Sequence, residues 1–205
     1  YYVPIIPFAL INGIAGIGTG FSCNIPAFSP TQIISYLQQK LKGGSIARVD
    51  EFVPFYEGFK GTITKMTNVP HKYLVKGCYE KVGDDKIRVT ELPIGSWTMS
   101  YISFLEGLMD GSTDKKGKRI APSIRDFTSI STEVIVDITV TFPRGKLSEL
   151  LSQTDSITGV NGVEKLLKLS TTISTTNMHM FNSECKLHKY TSVEEVIDDF
   201  YGVRI

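Results

Sequence analysis

The residues best suited to contact a ligand lie at positions 12–26, Asn-Gly-Ile-Ala-Gly-Ile-Gly-Thr-Gly-Phe-Ser-Cys-Asn-Ile-Pro. Four glycines fall within eight positions of this stretch, and the β-branched residues Ile14 and Ile17 stand between them. Glycine at this density lets the main chain approach another surface closely. An isoleucine held on such a loop is shaped as an apolar wedge rather than as a core residue. The general alternative is a glycine-rich turn between a strand and a helix.

Two phosphate-binding motifs are excluded in this stretch. A dinucleotide loop requires Gly-x-Gly-x-x-Gly, but the sixth position counted from Gly16 is Phe21. A P-loop requires a lysine after its second glycine, but Thr19 follows Gly18. Without that lysine no charge is available for a β- or γ-phosphate. We therefore do not expect this loop to bind a nucleotide.

Side chains for acid–base, nucleophilic or metal chemistry are few and scattered. The histidines stand at positions 71, 179 and 188, and none has a partner at the spacing of a metal site or a catalytic triad. The cysteines at positions 23, 78 and 185 show no paired spacing for zinc or for a disulfide framework. These patterns predict structural histidines, free thiols and no metal site.

The composition predicts a folded protein without a strong electric field. Hydrophobic residues make up 41% of the chain, charged residues 21%, and the formal net charge is +1. DNA binding then requires that positive charge be concentrated on one face or supplied from outside this sequence. The chain has no signal peptide and no apolar run long enough to span a bilayer, which predicts an intracellular protein with no membrane partner. Because it begins at Tyr1 within a mostly apolar stretch, we expect it to be a piece of a longer polypeptide.

The elements that would position the glycine loop follow from residue periodicity. Pro4 and Pro7 predict an extended arm through residue 11, so that residues 1–28 form the arm and loop and residues 29–205 form an α+β body. Helices are predicted after Ser29-Pro30, from Trp97 as a core anchor, at two short stretches near 147–152 and 163–167, and at 192–201. Strands are predicted at 59–66, 72–79, 86–91, 133–142 and 169–175, with an exposed basic loop at 110–119.

Three stretches, in order along the chain, resemble eukaryotic-type type IIA DNA topoisomerases. Residues 2–26 are similar to the family's segment just downstream of its catalytic tyrosine. Residues 55–63, Phe-Tyr-Glu-Gly-Phe-Lys-Gly-Thr-Ile, resemble its Gly-Phe-Lys-Gly strand, and residues 169–181 resemble its Thr-Asn-Met-His stretch. Weaker matches at 91–98 and 198–205 extend the resemblance over essentially the whole chain.

The resemblance implies that residues 1–205 are the tower, or shoulder, part of the breakage–reunion region, which binds and bends double-stranded DNA. The complete enzymes are homodimers that pass one duplex through another with ATP and Mg²⁺. They act in the nucleus, or at the replication site of a large DNA virus. Their catalytic tyrosine follows an arginine. Tyr1 and Tyr2 have no preceding arginine, so this chain is expected to contain no catalytic residue and to bind neither ATP nor Mg²⁺ itself.

The resemblance also places a DNA wedge at Ile17, the position of the isoleucine that the family inserts between base pairs. Such a wedge unstacks a base step at a cost of about a few kcal/mol and bends the duplex. Polar neighbours and one lysine would contact phosphate or sugar without reading the base sequence. Ala15 departs from the acidic residue of many eukaryotic members, which suggests a divergent branch. The DNA-binding residues expected in this way are Ile17, Gly16, Gly18, Thr19, Asn12, Ser22 and Lys60.

A second hypothesis comes from a different functional class. The chain would be a non-catalytic protein-interaction or architectural α+β module, whose glycine-rich loop docks a protein rather than DNA. An arginine–tyrosine pair encoded upstream of residue 1 favours the topoisomerase hypothesis, and a start codon close to Tyr1 favours the module.

Overall fold

Helices and strands alternate irregularly along the chain, without the βαβ rhythm of a parallel sheet. The computed structural model describes residues 4–43, 51–113 and 119–205. The chain divides into two units, the first with residues up to Gly58, Ile63–Tyr73 and Ile173–Ile205, the second with Phe59–Thr62 and Leu74–Thr172. The predicted α+β class is confirmed, with the strands shared among several small sheets. The boundary expected between residues 28 and 29 lies inside the first unit.

The described residues form six helices and thirteen strands. The helices are α1 (Phe8–Asn12), α2 (Pro30–Leu41), α3 (Thr98–Asp110), α4 (Lys146–Ser152), α5 (Gly162–Leu166) and α6 (Val193–Arg204). The strands are β1 (Ile14–Gly18), β2 (Phe21–Ile25), β3 (Thr62–Lys65), β4 (Lys72–Lys76), β5 (Cys78–Lys81), β6 (Lys86–Glu91), β7 (Ser112–Thr113), β8 (Arg119–Ile120), β9 (Asp126–Ser129), β10 (Ile138–Thr141), β11 (Ser170–Ser174), β12 (Met178–Phe181) and β13 (Leu187–Tyr190). None of these helices is long and apolar enough to cross a bilayer.

The first unit packs the hairpins β1–β2 and β12–β13 against α2 and α6 around one apolar core. Helix α2 begins at Pro30, as predicted, because proline suits the first helical position. Helix α6 is capped as predicted, since the Ser192 hydroxyl accepts the N–H of Glu195 at 3.2 Å. The hydroxyl of Tyr36 on α2 donates to Asp198 on α6 at 3.1 Å, and Lys40 pairs with the same carboxylate.

The predicted extended arm is wrong for its second half, because Phe8–Asn12 is the helix α1. Pro7 precedes the first helical residue, where a missing N–H costs nothing, so the proline starts the helix rather than excluding it. Burial of Leu10 in the core of the first unit stabilises this short turn. The glycine-rich stretch that follows is likewise not an irregular loop but the two-stranded hairpin β1–β2.

The second unit is built on the antiparallel sheet β5-β6-β10-β9, and its core includes residues of α3, α4 and α5. Alternating residues of β6 and β10 point into that core, namely Ile87, Val89, Ile138 and Val140. The hairpin predicted between residues 81 and 86 is confirmed by the β5–β6 pairing. Strands β3, β4 and β11 form a third sheet, in the order β11-β4-β3.

Two sequence predictions in the second unit are wrong. The strand expected at 133–142 is reduced to β10, because Thr132 accepts the N–H groups of Val134 and Ile135 and turns the chain before it can pair. Trp97, expected as a core anchor, is 78% exposed at the N-cap of α3, and Tyr101 and Leu105 bury in its place. Most of the predicted basic loop, residues 114–118, lies outside the described residues.

Glu195 connects the first turn of α6 with the end of β13. Its carboxylate accepts the N–H and the hydroxyl of Thr191 at 2.7 and 2.8 Å and lies 3.0 Å from Nε2 of His188. These bonds, the Thr191 N–H foremost, lower the pKa of Glu195 from 4.5 to about 2. Because the folded-state pKa lies below the unfolded value, the stabilisation is complete above about pH 4.5 and is lost as the pH falls towards 2.

We therefore predict that Glu195→Gln lowers the free energy of unfolding at neutral pH and flattens its decline in acid. Urea denaturation of both proteins at several values between about pH 7 and pH 2 should show the difference shrinking as the carboxylate protonates. Glu184→Gln is the control, since this exposed carboxylate pairs only with the neighbouring Lys186, and its removal should cost little. A difference between wild type and Glu195→Gln that stays constant with pH would contradict the assignment.

Candidate nucleic-acid interface

The hairpin β1–β2 has one buried face and one exposed face. In its antiparallel register Gly16 pairs with Cys23 and Ile14 with Ile25, and Cys23 and Ile25 are buried in the core of the first unit. Successive residues of a strand point to opposite faces. The other face therefore presents Ala15 and Ile17 of β1 opposite Asn24 and Ser22 of β2, and all four are exposed.

Ile17 is the most exposed large apolar side chain among the described residues, at 93%. Leaving an isoleucine in water forgoes about 1.5–3 kcal/mol of burial energy. The fold does not require the exposure, because a polar or small residue would serve at this outer position. Placed mid-strand on a hairpin whose other face is anchored in the core, the side chain is held out from the surface on a supported backbone.

The glycines of the hairpin differ in what the fold demands of them. Gly13 has φ +69°, and a Cβ there would lie 2.8 Å from the carbonyl oxygen of Ile25, so both backbone and space require glycine. A Cβ on Gly18 would meet the ring of Phe21 at 2.7 Å. Gly16 has no positive φ and nothing within 4 Å of its Cβ position. No contact of the described chain explains Gly16, whereas close approach by a partner would.

The remaining predicted residues of the first unit flank Ile17. Asn12 is the last residue of α1, directly before the hairpin, and is exposed. Thr19 is exposed in the turn between β1 and β2, and Ser22 stands opposite Ile17 across the pair. The structure thus brings Asn12, Gly16, Ile17, Gly18, Thr19 and Ser22 onto a single hairpin and its approach. Their contact with DNA stays a prediction.

Lys60, the seventh predicted residue, belongs to the second unit. The expectation that it projects from a strand is wrong, because β3 begins only at Thr62. Lys60 is exposed, and its carbonyl oxygen accepts the thiol of Cys78 at 3.2 Å. The structure therefore leaves the ammonium group available to solvent but does not group it with the hairpin residues.

Two polar residues beside the hairpin were missed as site residues by the sequence reasoning. The amide of Asn177 donates to the Ser22 hydroxyl at 3.0 Å, and Nδ1 of His179 lies 2.8 Å from the amide oxygen of Asn177. Both belong to the Thr-Asn-Met-His stretch that carried part of the resemblance. That stretch was the available signal, but sequence alone does not show that it lies next to residue 22.

Metal chemistry has no site in the part of the chain that the structure describes. No three His, Cys, Asp or Glu side chains come together there as a ligand set. His179 contacts Asn177 and His188 contacts Glu195, so each has a neighbour that accounts for its placement. The three cysteines are free thiols.

Comparison with known proteins identifies relatives over the whole chain. Residues 1–205 match the family model that describes the DNA gyrase/topoisomerase IV family. The chain is 37% identical over 205 residues to DNA topoisomerase 2 of Pisum sativum and 32% identical over 206 residues to DNA topoisomerase 2-alpha of Homo sapiens. These alignments cover all of this chain but only 13% and 12% of the two relatives.

A solved structure shows the same fold. The crystal structure of the Plasmodium falciparum topoisomerase II DNA-binding, cleavage and re-ligation domain superposes with a TM-score of 0.84 at 33% identity. The match covers all of this chain and 25% of that one. The resemblance inferred from the sequence motifs is thereby confirmed for fold and family.

The contrast between the hairpin glycines yields a stability prediction. Gly13→Ala should lower the free energy of unfolding by about 1–3 kcal/mol, from a strained φ and a contact with Ile25. Gly16→Ala should leave stability unchanged or raise it by up to about 1 kcal/mol, because it reduces the entropy of the unfolded chain without meeting any atom. Chemical denaturation of the two variants tests this directly. Equal losses at both positions would show that Gly16 also serves the fold.

Proposed function

This chain belongs to the DNA gyrase/topoisomerase IV family, and on that premise we propose that residues 1–205 are the tower part of a type II DNA topoisomerase that binds and bends double-stranded DNA. The observation that carries the proposal is the 93% exposure of Ile17 on a hairpin whose opposite face is anchored in a core. In the proposed complex Ile17 enters a base step and separates the stacked pairs.

The physical case for a wedge rests on the balance between unstacking and new contacts. Unstacking a step costs about a few kcal/mol, offset by burying Ile17 between bases and by bringing more phosphate onto the protein. A supported strand avoids most of the entropy that a flexible loop would lose on binding. Gly16, with open space around its Cβ position, lets the backbone come close to a sugar or phosphate.

The polar residues around Ile17 supply positioning rather than sequence reading. Asn12, Thr19 and Ser22 are uncharged hydrogen-bonding side chains at the exposed hairpin, suited to phosphate and sugar oxygens. We assign Lys60 a backbone contact of the same kind from the second unit. Preference among DNA sites then comes from deformability, with flexible pyrimidine–purine steps favoured under the wedge.

The complete enzyme in this proposal is a homodimer that passes one duplex through another with ATP and Mg²⁺. Its catalytic tyrosine lies upstream of Tyr1. The described residues assemble no metal-ligand set, so we assign ATP and Mg²⁺ to other parts of the enzyme and derive no step through them here. We place the enzyme in the nucleus of a cell or at a viral replication site. One relative is a mitochondrial DNA topoisomerase 2 of Dictyostelium discoideum, 37% identical over 207 residues.

The decisive experiment measures DNA bending by the full-length enzyme and its Ile17→Ala form, by energy transfer between the labelled ends of a short duplex. Ile17→Ala should bind within about tenfold of wild type, because the lost contact is offset by the unstacking that no longer occurs. Its bend should be much smaller. Ile157→Ala, which truncates another exposed isoleucine outside the hairpin, is the matched control and should bend DNA as wild type does.

Each other outcome has a defined meaning. Equal bending by wild type and Ile17→Ala would show that Ile17 is not the wedge. Failure of the wild-type enzyme to bind a duplex even at low salt would overturn the DNA-gate proposal altogether, since phosphate contacts are strongest there.

A further inference from the structure

Strand β12 runs beside β2 and fixes it at both ends. The N–H of Asn24 donates to the carbonyl oxygen of Asn177 at 2.8 Å. At the other end the rings of Phe21 and Phe181 meet edge to face, with centroids 6.1 Å apart. Such an aromatic pair adds about 0.5–1.5 kcal/mol beyond the area it buries. The strand opposite Ile17 is therefore held by β12 as well as by β1.

Between these two anchors lies a chain of side-chain hydrogen bonds with one direction. The amide nitrogen of Asn177 donates to the Ser22 oxygen at 3.0 Å, and the Asn177 amide oxygen lies 2.8 Å from Nδ1 of His179. An amide oxygen only accepts, so Nδ1 of His179 must carry the hydrogen. The donors thus run from His179 through Asn177 to Ser22.

This direction determines what the Ser22 hydroxyl can do next. Its oxygen already accepts from Asn177, which leaves its own hydrogen free to donate. Among the described residues, no acceptor for that hydrogen lies within hydrogen-bonding distance, and Ser22 is exposed directly opposite Ile17. Hydrogen bonds in a chain polarise one another, so a hydroxyl at the donating end is a better donor than an isolated one. An anionic oxygen is the acceptor that gains most.

Positive charge lies on the same side of the β12–β13 hairpin. Lys189 pairs with His179 in the β12–β13 register, so the two side chains share a face. Lys189 is exposed and makes no ion pair with the residues that the structure describes. A lysine next to the donor chain favours an anion over a neutral acceptor.

We propose that Asn177 and His179 are positioning residues that hold the Ser22 hydroxyl hydrogen toward a DNA phosphate beside the wedge residue Ile17, with Lys189 adding charge. The inference rests on the proposed function and deepens it by assigning a phosphate site to residues that lie more than 150 positions from the hairpin along the chain. The ligand is the backbone of a duplex rather than a base edge, so the site adds affinity and register without sequence preference.

Asn177→Asp separates this role from a merely structural one. The carboxylate has the shape of the amide and still accepts from His179, but it can no longer donate. The Ser22 hydroxyl would then donate to the new carboxylate and turn its hydrogen away from DNA, while the link between β2 and β12 persists. A hydrogen bond to a charged group is lost, so duplex binding by the full-length enzyme should weaken by about 10- to 100-fold.

Asn24→Asp is the matched control for charge. It places the same negative charge on the same exposed hairpin face, where the Asn24 side chain is not part of the donor chain. Its effect on duplex affinity should be only a few-fold, about the size of a screened surface charge. Thermal unfolding of both variants should match wild type, which excludes misfolding as the cause.

Ser22 and His179 variants test the same chain without adding charge. Ser22→Ala should weaken duplex binding by about tenfold, and His179→Leu should weaken it less, because it removes only the first donor. His179→Asn should restore affinity relative to His179→Leu, since its amide nitrogen takes the place of Nδ1. In the Ser22→Ala background, His179→Leu should have no further effect.

The outcomes separate this inference from the function on which it rests. Binding by Asn177→Asp equal to that of Asn24→Asp, or full affinity in Ser22→Ala, would overturn the positioning role while leaving the Ile17 wedge intact. Additive losses from Ser22→Ala and His179→Leu would also overturn it, because the two would then act independently. A wild-type enzyme that neither binds nor bends the duplex would instead refute the proposed function itself.

Discussion

The alternation of side chains across the β1–β2 pair is the constraint on which the candidate interface depends. Because Cys23 and Ile25 bury one face of the hairpin, the register forces Ile17 and Ser22 to the opposite, exposed face. A shift of one residue would bury Ile17 and expose Cys23. The core of the first unit thus does more than stabilise the fold, since it also decides which isoleucine of the glycine-rich stretch points outward.

Much of the helical structure could be predicted because its signals are local. Ser29-Pro30 and Ser192 mark helix starts through chemistry confined to one turn, and the structure begins α2 and α6 there. The failures were tertiary. Glycines that suggested a loop at 12–26 lie in strands, because the buried partners of β2 outweigh the poor strand propensity of glycine. Trp97 shows the reverse, a residue type that favours burial but is left exposed.

For the candidate site, the sequence placed Ile17 and its neighbours correctly on one element but could not supply the residues that pack beside them. Asn177 and His179 meet Ser22 across a separation of 155 positions in the Asn177–Ser22 bond. No period, cap or turn rule carries information over that distance. Lys60 failed for a smaller reason, since the strand containing it was predicted to begin too early. Local chemistry was readable, and the spatial neighbours were not.

An apolar wedge and a weakly charged chain are physically consistent with each other. With a net charge of +1 the chain gains little from long-range attraction to DNA, so its contribution must come from contacts made at short range. Neutral donors and an isoleucine inserted between bases are contacts of that kind, and they lose little strength as salt rises. A hairpin fixed by a core on one face and by β12 along its edge delivers them without first losing conformational entropy. The fold is therefore rigid at the place where charge is scarce.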